Sequence, residues 1–275
     1  MSYVALRGSK RASMVAAGVM WAASCPTSAQ PRLPVKAGDW NVDYGNIRCS
    51  LSRRLAGPNS PILTLSSYLG RDEPEFILIR DGNEPLPELP GRVRVVLGPS
   101  NAVAEGVLRK REVQGGTILT ITELGEGFID RFASSGVVRL EAGRRPVVQL
   151  AIPGAQRAVA ALRACNDDLL RSWGIDPAAP LSRPAKQISG AISYKDYPNE
   201  SSSNEESGTV VTRFTITAQG RVINCGVVVS SGHRRLDGHT CGLISERFTY
   251  QPALGKDNRP VPSMAVRTVT WVLPD

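Results

Sequence analysis

Two different periodicities divide this chain. From Asp39 to Leu150 apolar residues come in short β-type runs. Trp40-Asn41-Val42-Asp43-Tyr44 alternates, and Ile62 to Leu69, Phe76 to Ile79, Val93 to Leu97, Thr117 to Ile121 and Val147 to Leu150 follow. Gly, Pro, Asn and Asp punctuate them at Asp81-Gly82-Asn83, Pro90-Gly91, Gly98-Pro99-Ser100 and Gly115-Gly116. Many short strands at close spacing predict a mainly antiparallel sandwich or barrel. One helix then closes it, from about Gly154 to Trp173, with Ala155, Ala158, Val159, Leu162, Cys165 and Leu169 on one face. Gly174 is its stop signal.

A Pro-rich stretch, residues 176–189, reads as a linker. Beyond it, Val210, Thr212, Phe214 and Ile216 share one face of a strand, Ala218-Gln219-Gly220 makes a turn, and Ile223, Cys225, Val227 and Val229 share one face of the next. Arg235 to Arg247 is helical, with Leu236, Leu243 and Ile244 as core positions. Ala265 to Leu273 is a third strand, with Val269, Trp271 and Leu273 on one face. The order strand, strand, helix, strand predicts a small α+β layer over residues 190–275. The fold class of the whole is therefore α+β: a mainly β domain at 30–175, then this smaller one.

The first 29 residues read as a signal peptide. Arg7, Lys10 and Arg11 precede an apolar run from Ala12 to Ala23, and Thr27-Ser28-Ala29 offers a cleavage site. The run is short of the ~20 residues that span a bilayer. Ala22-Ala23-Ser24-Cys25 loosely matches a lipoprotein box, so Cys25 is a candidate lipidation site. Both routes predict an exported, periplasmic protein. Export makes disulfides favourable. Two of the other four cysteines fall in each domain, and the expected pairs are Cys49 with Cys165 and Cys225 with Cys241.

The net charge of +8 is spread along the chain without a basic block or interleaved aromatics, which argues against nucleic-acid binding. His233 and His239, the only histidines, read as solvated and lie at no zinc-ligand spacing from cysteine. Ser230-Ser231-Gly232-His233 lacks the nucleophile elbow of a serine hydrolase. Asp167 and Asp168 are helix neighbours that face apart. Asp81-Gly82 and Asp237-Gly238 lack the hydroxyl residue of an aspartic protease motif, and there is no phosphate loop or dinucleotide fingerprint. No cofactor, metal site or enzyme activity is expected.

The last third resembles the TonB C-terminal family. The resemblance is carried, in order, by Tyr197-Pro198, Gly208-Thr209-Val210, Gly220-Arg221-Val222, Ser230-Ser231-Gly232, Leu236-Asp237, Phe248 with Pro252-Ala253, and Trp271-Val272-Leu273-Pro274. Where members of the family carry alanines after Tyr-Pro, Asn199 to Glu206 is a poor helix former, so the first helix should be short. The resemblance implies binding of outer-membrane TonB-dependent receptors or other envelope proteins by β-strand addition. The edge would be the last strand, with Arg267, Val269, Trp271 and Leu273 as its residues and Arg267 as a charged guard. A homodimer through the C-terminal domain is the alternative use of that edge, and an envelope scaffold without energy transduction the alternative role. Energy-transducing members carry a membrane anchor and a long Pro-rich spacer. Neither is legible here, so energy coupling does not follow. The N-terminal half, with its early Trp and Cys and Cys-bearing closing helix, looks somewhat like the invasion-associated locus B type of exported domain. It also looks like the extra domain that precedes TonB-like domains in some alphaproteobacterial proteins.

Overall fold

The computed structural model describes residues 39–55, 61–71, 74–81, 89, 91–98 and 101–273. The expected signal peptide, Cys25, Pro274 and the turn residues Gly82, Asn83, Pro90, Pro99 and Ser100 lie outside them.

The N-terminal half contains β1 (Asn41–Tyr44), β2 (Arg48–Arg54), β3 (Ile62–Tyr68), β4 (Glu75–Asp81), β5 (Arg92–Leu97), β6 (Ala102–Val113), β7 (Gly116–Thr122), α1 (Phe128–Ser134), β8 (Val137–Ala142), β9 (Arg145–Ala151) and α2 (Ala155–Ser172). The strands form one antiparallel sheet in the order β1-β2-β3-β4-β7-β6-β5-β8-β9. Register explains the core. Leu51, Leu65, Phe76, Ile121 and Leu108 are opposed in turn across five strands, and all are buried. A one-residue slip would turn the whole row to solvent, so the core fixes the pairing.

The sheet is a single ladder with β1 and β9 at its ends, so among the described residues no strand pairing closes a barrel. Its ends are drawn together by other means: Trp40 Nε1 and Arg53 Nη1 both donate to the carbonyl of Pro153, at 2.9 and 2.6 Å, where β9 gives way to α2. The Cys49–Cys165 disulfide ties β2 to α2. The expected apolar face of α2 is the buried one. The expectation of a single helix needs correction, because α1 also enters the core. Its Phe128 and Phe132 lie edge-on to Phe76, with centroids 6.3 and 6.5 Å away. Only seven residues long, α1 gives too few turns for a legible period.

The C-terminal half contains β10 (Leu181–Arg183), β11 (Lys186–Ser189), a 3₁₀ turn (Tyr194–Asp196), α3 (Asn199–Ser203), β12 (Gly208–Ile216), β13 (Val222–Val229), α4 (Arg234–Arg247), β14 (Thr249–Gln251), β15 (Ala253–Gly255), β16 (Pro260–Val261) and β17 (Ser263–Trp271). The main sheet is β13-β12-β17, all antiparallel. Leu181–Arg183 and Lys186–Ser189, within the stretch read as a linker, pair with β15 and β14.

The inward face of β12 is as expected: Val210, Thr212, Phe214 and Ile216 are all buried. That of β13 is not. Ile223 and Val227 are 44% and 38% exposed, while Val222 is buried. Two register shifts interrupt the β12–β13 pairing, and Asn224 between Ile223 and Cys225 has a left-handed φ of 53°. A bulge inserts a residue, so Ile223, opposite Thr215, and Val227, opposite Thr212, fall on different faces and cannot share the expected one. Cys225 still reaches Cys241 on α4 and forms the second disulfide. At the β12–β13 turn, Gly220 has φ 78°, and a Cβ there would sit 1.9 Å from the Tyr250 carbonyl. Only glycine allows Tyr250 N–H to donate to the Gly220 carbonyl at 2.9 Å.

Candidate functional site: the β17 edge

Among the described residues β17 lies at the end of its sheet and pairs with β12 alone. Nine residue pairs, from Gly208 opposite Trp271 to Ile216 opposite Ser263, run without a register break. The opposite edge, β13, carries the two breaks described above. Bulges twist an edge away from would-be partner strands, whereas a long regular edge offers an even row of donors and acceptors. The two edges of this sheet therefore differ in what they present.

The four residues expected on this strand have different settings. Val269 and Trp271 are buried, facing inward with Val210, Leu236 and Leu243. Trp271 Nε1 donates to Thr240 Oγ1 of α4 at 2.9 Å. The Tyr197 ring stands edge-on to the indole with centroids 5.3 Å apart, and its hydroxyl donates to the Glu206 carbonyl. This packing explains why a Tyr-Pro pair and a tryptophan more than seventy positions later belong to one pattern. Arg267 lays its guanidinium over the Phe248 ring, 5.6 Å from the centroid. Leu273 is half-buried and lies beyond the strand's end. Side chains at 267, 269 and 271 thus hold β17 onto the domain.

The other face of β17 has neighbours that the sequence does not announce. Thr268 is buried and donates its hydroxyl to the Leu69 carbonyl at 2.6 Å. Arg71 Nη2 donates to Thr270 Oγ1. Gly70, with φ 72°, approaches so closely that a Cβ would lie 2.3 Å from the Val266 carbonyl oxygen and 2.7 Å from Arg267 Cα. Leu69, Gly70 and Arg71 form a turn that follows β3. On β12, Arg213 Nη1 donates to the Trp173 carbonyl at the end of α2, 2.8 Å away. Nothing in the local sequence marks residues 69–71 as partners of a strand 199 positions later.

The Ser230-Ser231-Gly232-His233 stretch is a loop clasp. Ser230 Oγ and Ser231 Oγ donate to the two carboxylate oxygens of Asp237 at 2.6 and 2.8 Å, and Ser231 N–H adds a 2.9 Å bond. Burial opposes ionisation of Asp237, but these bonds and nearby His233 outweigh it and hold the carboxyl below its ordinary range. Asp237 lies in the first turn of α4, where the helix dipole also favours an anion. Both serine hydroxyls are committed to a carboxylate, which leaves neither placed as a nucleophile beside a base. His239 Nε2 lies 2.8 Å from the Asp196 carbonyl.

In the N-terminal half a cleft of about 600 Å³ is lined by Trp40, Arg53, Pro153, Gly154 and Arg157 among others. Its Trp40 and Arg53 are both engaged with the Pro153 carbonyl. Among the described residues no cluster of three or more His, Cys, Asp or Glu could hold a metal ion. No helix of the described residues is long and apolar enough to cross a membrane.

No curated protein matches the chain. The family model described as the Gram-negative bacterial TonB protein C-terminal matches residues 193–273, which span the Tyr-Pro entry, the three-stranded sheet and α4, and the last third of this chain is therefore a TonB C-terminal domain.

Proposed function

We propose that the chain is an exported envelope protein whose TonB-type domain binds outer-membrane receptors or other envelope proteins by accepting a partner strand along β17. The family is one of binding and energy-transducing domains and not of enzymes. The observation that supports β17 as the receiving edge is its nine-residue unbroken register, set against the bulged β13. In strand addition, backbone bonds supply affinity and neighbouring side chains choose the partner. The exposed Met264 and Val272 near the two ends of β17 are the apolar positions available for that choice. Amide-resolved NMR of the full-length chain with synthetic TonB-box peptides tests this reading. Shifts running along Ser263–Trp271 support it, and shifts confined to other elements exclude this edge.

A second reading is favoured by the contact of the Leu69–Arg71 turn with β17. In it the chain is an envelope scaffold, its TonB-type domain docked on the N-terminal half, and that half carries the specific binding surface. Partner-induced shifts restricted to residues 39–175 would select it.

A further inference from the structure

The Leu69–Arg71 turn touches β17 over the stretch where an added strand would lie. Such a strand sits about 4.8 Å from its neighbour, and alternate side chains extend over each sheet face. Near the middle of β17 one of those faces is already taken. Gly70 packs against the Val266 carbonyl with no room for even a methyl group. Thr268 and Thr270 turn their hydroxyls to the Leu69 carbonyl and the Arg71 guanidinium. The turn is held in shape from its own side. Arg71 lies 4.5 Å above the Tyr68 ring and pairs with Glu75 at 3.4 Å, and Arg71 N–H donates to the Tyr68 carbonyl at 3.1 Å.

From this geometry we propose that the Leu69–Arg71 turn is a cis cover on the partner edge: the N-terminal half occupies Val266–Thr270 of β17, and a partner strand adds only when the turn lifts off. The inference rests on β17 being the partner edge. It gives the N-terminal half a role, that of setting how often the edge is competent. Among the described residues the contact includes two hydroxyl hydrogen bonds and one close backbone approach. A partner that binds the uncovered state alone has its affinity reduced by the fraction of molecules uncovered. The same cover shields a long regular edge from pairing with other chains, the usual hazard of such an edge.

Two variants on the turn leave β17 itself untouched. Gly70→Ala forces the turn away from the Val266 carbonyl and also disfavours the left-handed φ. Arg71→Ala removes the bond to Thr270 and introduces no strain. Full-length wild type and both variants are compared by amide hydrogen exchange at residues 263–271, and by titration with a synthetic TonB-box peptide. The expected result is faster exchange at Val266–Thr270 in both variants, with peptide affinity about tenfold tighter than wild type, as for an edge competent in about one molecule in ten. Unchanged exchange together with wild-type affinity overturns the cover and leaves strand addition standing. Faster exchange with no peptide bound by any of the three proteins overturns both, because a released edge that takes no strand has nothing to gate.

Discussion

The indole N–H of Trp271 donates to the hydroxyl of Thr240, 2.9 Å away, and both residues are buried. This one bond joins the end of β17 to the middle of α4, and the Thr240 hydroxyl in turn donates to the Leu236 carbonyl at 2.7 Å. Thr240→Val keeps the shape of the side chain and strands a buried donor, which costs about 1–3 kcal/mol. Thr240→Ser keeps the hydroxyl and should recover most of that loss. Chemical denaturation of the two variants checks the pair. Equal destabilisation would show that methyl packing matters here and the hydrogen bond does not.

The two disulfides should contribute unequally. Cys49–Cys165 closes 116 residues and Cys225–Cys241 closes 16. In the chain-entropy model these stabilise by about 5 and about 3 kcal/mol. Cys165→Ser should therefore lower the denaturation midpoint more than Cys241→Ser. Non-reducing peptide mapping should recover the same two pairs, and crossed pairs would break the connectivity described here.

Acid should loosen the loop before α4. The Asp237 carboxyl is held below its ordinary range in the folded protein. A depressed folded pKa gives stability that is present above the unfolded value, about 3.9, and is lost as pH falls through the folded one. Wild type should thus lose more thermal stability than Asp237→Asn on acidification from about pH 5 to pH 2. Parallel melting curves across that range would remove Asp237 from the account.

Gly220→Ala places a methyl group 1.9 Å from the Tyr250 carbonyl at a φ of 78°. Both effects push the same way, and a loss of more than about 2 kcal/mol is expected. A melting temperature within a degree of wild type would mean that the β12–β13 turn adapts.

Much of this arrangement was legible in the residues. Apolar periodicity gave the buried faces of β12, α2 and α4, because those elements are regular along their whole length. The disulfide pairs followed from placing two cysteines in each half. Other parts left no such trace. Asn224 carries no mark of the bulge that breaks the β12–β13 register, since a left-handed residue is set by tertiary contacts as well as by residue type. Twelve-residue β6 gives no clear strand signal, because its second half, Arg109–Val113, is exposed and mostly charged. β10, β11 and β14–β16 are two to four residues long, too short for alternation to register. The edge strand itself was placed by family resemblance. The contact between Leu69 and Thr268 has no local signature in either segment.

The most direct test of strand addition at β17 is an NMR titration of the full-length chain with synthetic TonB-box peptides, followed at every assigned amide. Perturbations should run along Ser263–Trp271 and appear together at Leu69–Arg71 as the turn is displaced. Perturbations confined to β13 or to the N-terminal half away from that turn, or none at saturating peptide in a folded protein, would contradict it.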